Sequence, residues 1–392
     1  MITSTALAKL VFWLALALPV YSYLLYPLVV IALGALMRSV RALRPVDSDR
    51  DGAGPWPPVA IVVSAYNEET HIAGLLNNLG SLDYPNSVTL YIGSDGSSDR
   101  TLTILQSFAG PRVRVLASER NRGKASMLND LLAEVTEPIV TFTDANTQFE
   151  RKALRRLIRR FDDPRVGAVC GELTLRSGDQ GDNVDGIYWR IERLIKSGES
   201  ALGALLGANG GIYAIRRECF IPIRADTIID DFCIAMSVAA AGRSVVYESE
   251  ARAVEEAPPK IRNEFDRRVR IGVGNYQAFF RHPEYLFRTG AMTGFSYLSH
   301  KVLRWFTPHL LLLALIANAV VLNQPLYRAF WDVQLATYAI CLLLYAFSHT
   351  LNVPRLLRVP VFLVAMNLAF SVAFWRYLNG HYMGSWKRTS RA

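Results

Sequence analysis

Acidic and small polar residues follow three β-branched apolar stretches in the first half of the chain. The first stretch begins at Val59 and ends in Ser64–Glu69 (SAYNEE), the second ends in Ser94–Asp99 (SDGSSD), and the third ends in Thr143–Asn146 (TDAN). A helical pattern follows each of them. Because ligands of open α/β sheets bind beyond the carboxyl ends of the strands, we expect the three loops to converge on one site. Their carboxylates suit a metal ion and a phosphorylated ligand.

Three further stretches carry residues that suit the same site. Asp230 and Asp231 open a predicted helix, Lys124 opens another, and Gly207–Gly211 (GANGG) lets the backbone approach a ligand closely. A lysine beside the free N–H groups of a helix start suits a phosphate contact. Each motif alone has a simpler explanation as a turn, a helix cap or a solvated lysine. Together and in this order, they predict a site for a divalent cation and a diphosphate.

Strands and helices that alternate at short intervals must position these loops. Apolar stretches predict strands at 59–64, 88–93, 113–117, 139–143, 166–169 and 212–215. Helical spacing predicts helices at 69–79, 99–108, 121–134, 150–161, 185–202 and 230–241. This alternation is typical of an α/β domain with a parallel sheet and right-handed crossovers.

Apolar residues are concentrated at the two ends of the chain, which is 51% hydrophobic overall. Residues 7–37 are nearly uncharged, and further apolar blocks lie at 302–322, 333–347 and 361–377. A membrane span needs about 20 apolar residues, so these blocks predict an integral membrane protein. A secretory signal is the alternative for the first block, but that block is too long and lacks a basic start.

The basic residues indicate an orientation in the membrane. The net charge is +9, and Arg38, Arg41 and Arg44 follow the first apolar block, while Arg355 and Arg358 separate the last two. Loops retained in the cytoplasm are enriched in Lys and Arg. We therefore expect a plasma- or inner-membrane protein whose central domain is cytoplasmic, with no nucleic-acid partner. Three C-terminal spans would place the basic tail outside, so the number of crossings and the side of the C-terminus stay open.

An amphipathic helix is predicted at Ile261–Arg281. Its apolar residues fall on one face, while Arg267, Arg270, Gly274 and Gln277 fall on another. Such a helix just before membrane spans fits the membrane interface, and it would direct its arginines towards the catalytic domain. A helix packed on the soluble core is the alternative that the periodicity leaves open.

These motifs resemble those of membrane-integrated inverting family 2 glycosyltransferases, the group that holds cellulose, chitin, hyaluronan and poly-N-acetylglucosamine synthases. The resemblance runs from about Val59 to the C-terminus. It rests on Ser64–Glu68, the Asp95 loop, Asn121–Lys124, Asp144–Asn146, Asp230 with Asp231, and Arg267–Gln277. It implies a Rossmann-like GT-A domain, flanked by transmembrane α-helices, that takes a sugar from a nucleotide diphosphate, usually UDP.

The resemblance also implies a role for each matching residue. Tyr66, Glu68 and Asp95 would line the nucleoside pocket with Lys124 near it, and Asp144 and Asn146 would hold Mg²⁺ or Mn²⁺ on the diphosphate. Asp231, beside Asp230, would be the general base on the acceptor hydroxyl, and Arg270 would steady the leaving diphosphate. Arg267, Ile271 and Gln277 of the amphipathic helix, together with Asn209, are the residues expected near the acceptor.

Two residues depart from the family pattern. The metal motif of the family ends in Asp, whereas here it ends in Asn146, whose amide oxygen brings less charge to a cation. Processive members carry Gln-x-x-Arg-Trp on the interfacial helix, and the segment here reads Arg267–Ile271 (RRVRI). Without the tryptophan, the helix lacks the flat aromatic face that a sugar ring prefers. This puts processive polymerisation in doubt.

The sequence therefore predicts a membrane glycosyltransferase in six segments. They are a transmembrane anchor at 7–37, a linker at 38–58, a GT-A domain at 59–258, amphipathic interfacial helices at 259–298, transmembrane helices at 299–379 and a tail at 380–392. The expected partners are a nucleotide-sugar donor, a glycan or lipid-linked acceptor and membrane lipid. Because so few spans make a narrow channel, a homo-oligomer or a secretion partner is also among them.

Three alternatives remain open at this point. The enzyme would either build a polymer or transfer a single sugar to a lipid carrier. A transporter with a nucleotide-sensing domain should carry buried ionisable residues in its spans, and the C-terminal blocks offer few. A catalytically inactive nucleotide-binding protein is the third alternative, which Asn146 favours. The sequence does not name the sugar, linkage, acceptor, product length or oligomeric state.

Overall fold

The computed structural model describes residues 4–42, 55–176, 184–256, 261–346 and 355–380. Most of the predicted linker and of the predicted tail lie outside the described residues. The strands are β1 (Val59–Ala65), β2 (Val88–Asp95), β3 (Val113–Ser118), β4 (Ile139–Phe142), β5 (Thr147–Phe149), β6 (Val166–Arg176), β7 (Tyr213–Arg216) and β8 (Ser244–Glu256).

The helices surround this sheet or extend from it. In the soluble part they are α3 (Ile72–Gly80), α4 (Thr101–Phe108), α5 (Lys124–Glu134), α6 (Ala153–Arg159), α7 (Val184–Ala201) and α8 (Asp230–Ala240). In the apolar part they are α1 (Ser4–Val20), α2 (Tyr26–Ala42), α9 (Ile261–Arg281), α10 (Glu284–Phe287), α11 (Ala291–Ser296), α12 (Leu303–Ala319), α13 (Pro325–Ala346) and α14 (Arg355–Leu378).

The strands form one eight-stranded sheet in the order β3-β2-β1-β4-β7-β6-β8-β5. The first four in this order are parallel, as predicted, which brings the ends of β1, β2 and β4 to one edge. The prediction of a wholly parallel sheet is wrong beyond β4, because β7 pairs antiparallel with both β4 and β6, and β5 pairs antiparallel with β8. Strands β5 and β8 were not predicted. The first is only three residues long, and the second is rich in charged residues.

The core of the α/β domain lies on both faces of the sheet. Every residue of β1 is buried, and alternate side chains point to opposite faces. Ile61 and Val63 pack with helices α3, α4 and α6, while Ala60 and Val62 pack with α5 and α8. Burial on both faces explains the unbroken apolar run that marked β1 in the sequence. The loops after the strands therefore start from a rigid base.

Three helical stretches of the described chain are long and apolar enough to cross a membrane: Ser4–Val40, Ala291–Ala319 and Val361–Leu378. In the first, α1 continues into α2 through a π-helical segment at Tyr21–Leu25. A second π-helical segment, Tyr297–Val302, joins α11 to α12. Helix α1 packs against α12 through small side chains, and α9 packs against α14. The predicted block at 333–347 falls within α13 as far as Ala346, and its last residue lies outside the described residues.

Candidate active site

The loops after β1 and β2 are joined by hydrogen bonds into one unit. Asn67 has a left-handed φ of 54° and accepts at Oδ1 from the Ser98 backbone N–H at 2.8 Å. The Asn67 N–H donates to the Ser97 hydroxyl at 3.2 Å, and the Glu68 N–H donates to Thr101 Oγ1 at 2.8 Å. Buried Glu68 also lies 2.9 Å from the His71 Nδ1. These bonds hold Tyr66 and Glu68 at the edge where β1 and β2 end.

Asp95 holds the start of α5. Its buried carboxylate accepts the backbone N–H of Arg122 at 2.9 Å and of Gly123 at 2.8 Å. Gly96 has a φ of 68°, and a Cβ there would lie 2.4 Å from the Asn121 backbone nitrogen. Only glycine permits this close approach of the two loops. Asp95 thus fixes the loop that places Lys124 at the first turn of α5.

Lys124 lies among three carboxylates. Its ammonium donates to Asp144 Oδ1 at 2.8 Å and lies 3.2 Å from Asp230 Oδ2, an ion pair without aligned hydrogen-bond geometry. Desolvation by itself would lower the pKa of Lys124, but Asp144, Asp230 and Asp231 together raise it above its usual value. The lysine therefore stays charged and partly neutralises the acidic cluster. We call Lys124, Asp144, Asp230 and Asp231 the catalytic cluster.

Asp231 is the member of this cluster best suited to accept a proton. It lies in the first turn of α8, and its Oδ1 accepts the Phe232 N–H at 2.8 Å. Burial, and then the negative charge of Asp230, raise the pKa of Asp231 to about 6. A carboxylate whose pKa lies near the working pH is largely ionised before the reaction and can accept a proton during it.

Gly210 keeps open a space between Asp231 and Asp144. A Cβ on Gly210 would lie 3.1 Å from Asp231 Oδ2 and 3.5 Å from Asp144 Oδ2. The Thr143 hydroxyl donates to the Gly211 carbonyl oxygen at 2.9 Å and ties this loop to the end of β4. The glycine-rich segment therefore does what its composition predicts, because its backbone lies directly against the two carboxylates.

Asn146 occupies the second position of the predicted metal motif. Its buried amide nitrogen donates to Glu255 Oε1 of β8 at 3.0 Å. That bond orients the amide, whose oxygen is the atom that could ligate a cation. No group of three or more His, Cys, Asp or Glu side chains arranged for a metal occurs in the described residues. The oxygen donors of Asp144 and Asn146 are of the kind that Mg²⁺ and Mn²⁺ bind, and they fit a cation that also takes ligands from a diphosphate.

The residues predicted near the acceptor have different environments. Asn209 donates from Nδ2 to the Gly171 carbonyl at 2.7 Å and accepts from Lys196, so it fixes the glycine-rich segment. Gln277 is buried and bonds the loop before α8. Ile271 packs into the apolar cluster that joins α9 to the helices around it.

Of the residues predicted on α9, Arg270 and its neighbour Arg267 lie closer to the charges of the site. Desolvation and the like charge of Arg267 lower the pKa of Arg270, while Asp230, Asp144 and Asp231 oppose this effect. Arginine keeps its proton in proteins even so. Arg270 therefore brings a positive charge into the field of all three carboxylates of the catalytic cluster. Its role on the diphosphate stays a prediction.

Tyr213 adjoins the site and was missed by the sequence analysis. It is fully buried in β7, its ring stacks on Phe142 with centroids 4.5 Å apart, and its hydroxyl has no hydrogen-bond partner in the described part of the chain. Burial, followed by the charges of Asp230, Asp231 and Asp144, raises its pKa well above the usual value. Its place directly after the glycine-rich segment was the signal that could have identified it.

Comparisons with known proteins agree with this geometry. Residues 60–222 match the profile of "Glycosyl transferase family 2". An N-acetylglucosaminyltransferase of Rhizobium sp. (strain N33) is 24% identical over 188 residues, which are 46% of this chain and 41% of that protein. The poly-beta-1,6-N-acetyl-D-glucosamine synthase of Staphylococcus epidermidis is 26% identical over 236 residues, 57% of this chain and 56% of that protein. The chain thus spans about half the length of the curated relatives it matches.

A solved structure extends the likeness to nearly the whole chain. It is the mannosyltransferase PcManGT from Pyrobaculum calidifontis in complex with GDP-Man and Mn²⁺, with 22% identity and a TM-score of 0.67. The match covers 94% of this chain and 99% of that one. The predicted GT-A fold is therefore confirmed, and with it the expectation of an α/β domain combined with apolar helices.

Proposed function

We propose that the protein, whose residues 60–222 match the profile of family 2 glycosyltransferases, transfers a hexosyl or N-acetylhexosaminyl group with inversion from a nucleotide-diphosphate sugar, expected to be a UDP-sugar. The acceptor is a growing glycan or a lipid-linked glycan of the cell envelope. One observation carries this proposal: the Asp231 carboxylate faces Asp144 across the space that Gly210 leaves open, beside the Lys124 ammonium. The proposed base, Asp231, and the ammonium of Lys124 thus border the same gap.

In the proposed reaction, the acceptor hydroxyl lies against Asp231. The carboxylate takes the hydroxyl proton while the hydroxyl oxygen forms a bond to the anomeric carbon of the donor sugar. The bond between that carbon and the phosphate oxygen breaks, and its electrons leave with the nucleoside diphosphate. Attack from the face opposite the leaving group inverts the anomeric centre, so a single base is sufficient.

The leaving diphosphate needs positive charge near it. Lys124 at the start of α5 and Arg270 of α9 supply this charge from the protein. Asp144 and the amide oxygen of Asn146 would hold Mg²⁺ or Mn²⁺ together with the diphosphate. The cation, when bound, neutralises charge on the leaving group. Asp95 contributes by holding the loop in front of Lys124.

The membrane placement belongs to the same proposal. The stretches at Ser4–Val40, Ala291–Ala319 and Val361–Leu378 anchor the protein in the plasma or inner membrane, with the catalytic domain on the cytoplasmic side where nucleotide sugars are made. Arg38 donates to the Ser197 carbonyl of α7 at 3.0 Å, which supports a position of this basic end beside the catalytic domain. The positive charge after the first span agrees with a cytoplasmic location.

The experiment uses the full chain, purified in detergent. It measures nucleotide release from a panel of UDP- and GDP-sugars with Mg²⁺, Mn²⁺ or EDTA, with and without a membrane lipid extract, and sizes the radiolabelled product. We expect release from a UDP-sugar that depends on a divalent cation. A ladder or high-mass product identifies a polymer, and a single lipid-soluble product identifies transfer of one sugar. No release from any donor, with UDP binding intact, would refute the proposal in favour of a binding protein.

A further inference from the structure

We infer that one face of α9 positions the catalytic base, and that Gln277 and Arg281 are the positioning residues. The inference rests on the proposed function of Asp231. It assigns α9 a second role, in addition to carrying Arg270, the arginine proposed to face the diphosphate. The observations concern the loop before α8, the residues of α9 that hold this loop, and the helices behind α9.

The loop at 221–229 leads directly into Asp230 and Asp231. It contains no helix or strand, so no ladder of backbone hydrogen bonds fixes it. Asn129 of α5 bonds both backbone groups of Ile223 near the start of the loop, and other side chains must hold the part that leads into α8. The contacts that α9 makes with this loop, at Asp226, Ile228 and Ile229, lie within five residues of Asp231.

Two side chains of α9 hold the loop. Gln277, only 3% exposed, donates from Nε2 to the Asp226 carbonyl at 3.1 Å and accepts at Oε1 from the Ile228 N–H at 3.3 Å. Its amide thus pairs with two backbone groups of the loop at once. Arg281 donates to both carboxylate oxygens of Asp226, at 3.0 and 2.8 Å. A two-pronged arginine–carboxylate pair fixes direction as well as distance.

Gly274 allows α9 to approach this loop closely. A Cβ at this position would lie 2.9 Å from Ile229 Cγ2 and 3.0 Å from Ile228 Cβ, so a larger residue would push the loop away. Arg270, Gly274, Gln277 and Arg281 follow the spacing i, i+4, i+7 and i+11, which places them on one face of the helix. The same rigid face thus carries the arginine for the leaving group and the contacts that hold the base.

The opposite side of α9 is seated on the membrane helices. Gly272 lies so close to α14 that a Cβ would be 2.7 Å from the Ala373 Cβ. The buried Tyr276 hydroxyl donates to the Trp305 carbonyl of α12 at 2.6 Å. Helix α9 is therefore held between the membrane bundle and the loop before the base. Through it, the packing of the bundle sets the position of Asp231 relative to Arg270.

The test compares Gln277→Leu and Arg281→Ala with the wild type. We expect kcat to fall about 10- to 100-fold in each, because a base displaced by about 1 Å costs that much. The KM for the donor and the affinity for UDP should stay within about threefold, since both side chains bond the loop at Asp226 and Ile228 and neither is among the residues proposed to hold the donor. Arg288→Ala is the matched control, because Arg288 is an exposed arginine in the turn after α10. It should keep the wild-type kcat.

Charge reversal separates positioning from a general loss of folding. Arg281→Asp alone should lose activity. Combining it with Asp226→Arg should raise kcat at least about tenfold above that of Arg281→Asp, because the ion pair is rebuilt in reverse. Arg281→Lys should fall between wild type and Arg281→Ala. Unchanged kcat in both single variants, or donor affinity that falls in step with kcat, would overturn the inference. A wild type without transfer activity would instead refute the proposed function.

Discussion

Two polar clusters of this molecule both combine carboxylates with cationic side chains, and they differ in their charge balance. The catalytic cluster combines three carboxylates with the ammonium of Lys124 at the edge of the sheet. The second cluster lies where α7 meets the apolar helices, and we call Glu192, Glu199, His300 and Arg304 the interface cluster. It contains two carboxylates, an arginine and a histidine, with Lys301 nearby.

The interface cluster is closed and paired. Arg304 donates to Glu192 Oε1 at 2.6 Å, and His300 Nδ1 lies 2.7 Å from Glu199 Oε1. The Tyr26 hydroxyl donates to the same Glu199 oxygen at 2.8 Å. The cluster joins α7 to the second π-helical segment through His300, and Arg304 donates to the Ser22 carbonyl of the first segment at 3.4 Å. The Ser22 hydroxyl in turn donates to the Ser299 carbonyl of the second segment at 2.6 Å. Its contacts thus brace the α/β domain against the apolar helices.

The two clusters shift carboxylate pKa values in opposite directions. Burial alone would raise the pKa of Glu192, but His300, Lys301 and Arg304 hold it well below its usual range. Burial and the like charge of Asp230 raise that of Asp231. A carboxylate surrounded by cations serves cohesion, whereas one surrounded by other carboxylates is prepared to take up a proton or a cation. Charge balance, and not burial, distinguishes the structural cluster from the catalytic one.

Asp231→Asn should give the largest effect and tests the catalytic side of this comparison. The amide keeps the size of the side chain and cannot accept the acceptor proton, so we expect transfer to fall at least about 10³-fold. Donor binding, measured by calorimetry with UDP and Mn²⁺, should survive because Lys124 and Asp144 remain. Transfer close to the wild-type rate would show that Asp231 is not the base.

Arg304→Met should act on stability instead. Removing the arginine leaves Glu192 buried with a weaker counter-charge, which costs about 3–5 kcal/mol of folding free energy in buried ion pairs. We expect a lower unfolding temperature in detergent with kcat little changed while the protein is folded. Arg328→Met, at an exposed arginine of α13, is the matched control and should leave the unfolding temperature unchanged. Equal unfolding temperatures for Arg304→Met and wild type would contradict the bracing role.

The sequence predicted the catalytic cluster because its members follow local rules. The ends of parallel strands meet at one edge, and this brought Asp144 near Lys124 and the start of α8. Helix α9 has the predicted bounds, Ile261–Arg281, since a strong period of 3.6 residues over 21 positions leaves little ambiguity. The α/β class followed from the alternation of strands and helices, whereas the GT-A fold was expected from the resemblance to family 2 glycosyltransferases.

The contacts between distant segments could not be predicted in this way. The bond from Asn146 to Glu255 depends on β8, a strand whose charged residues conceal it in the sequence. Gln277 and Asp226 are 51 residues apart, and no local pattern relates them. His300 and Arg304 are buried within the apolar stretch Ala291–Ala319, although few ionisable residues were expected in the C-terminal spans. Ion pairing offsets the cost of burying these side chains, and only the folded structure shows which residues are the partners.

The pH dependence of transfer should give the smallest effect and distinguishes the clusters most finely. With the pKa of Asp231 raised to about 6, the base is ionised above that pH and protonated below it. We therefore expect kcat/KM to be level above pH 6 and to fall about tenfold for each pH unit below it.

Asp230→Asn removes the neighbouring negative charge, so the pKa of Asp231 should drop and the acidic limb should move to lower pH. Even a slow variant allows this measurement, because only the shape of the profile matters. A limb at the same pH in Asp230→Asn and wild type would mean that a group outside the influence of Asp230 controls the rate, and the charge imbalance of the catalytic cluster would lose its assigned role.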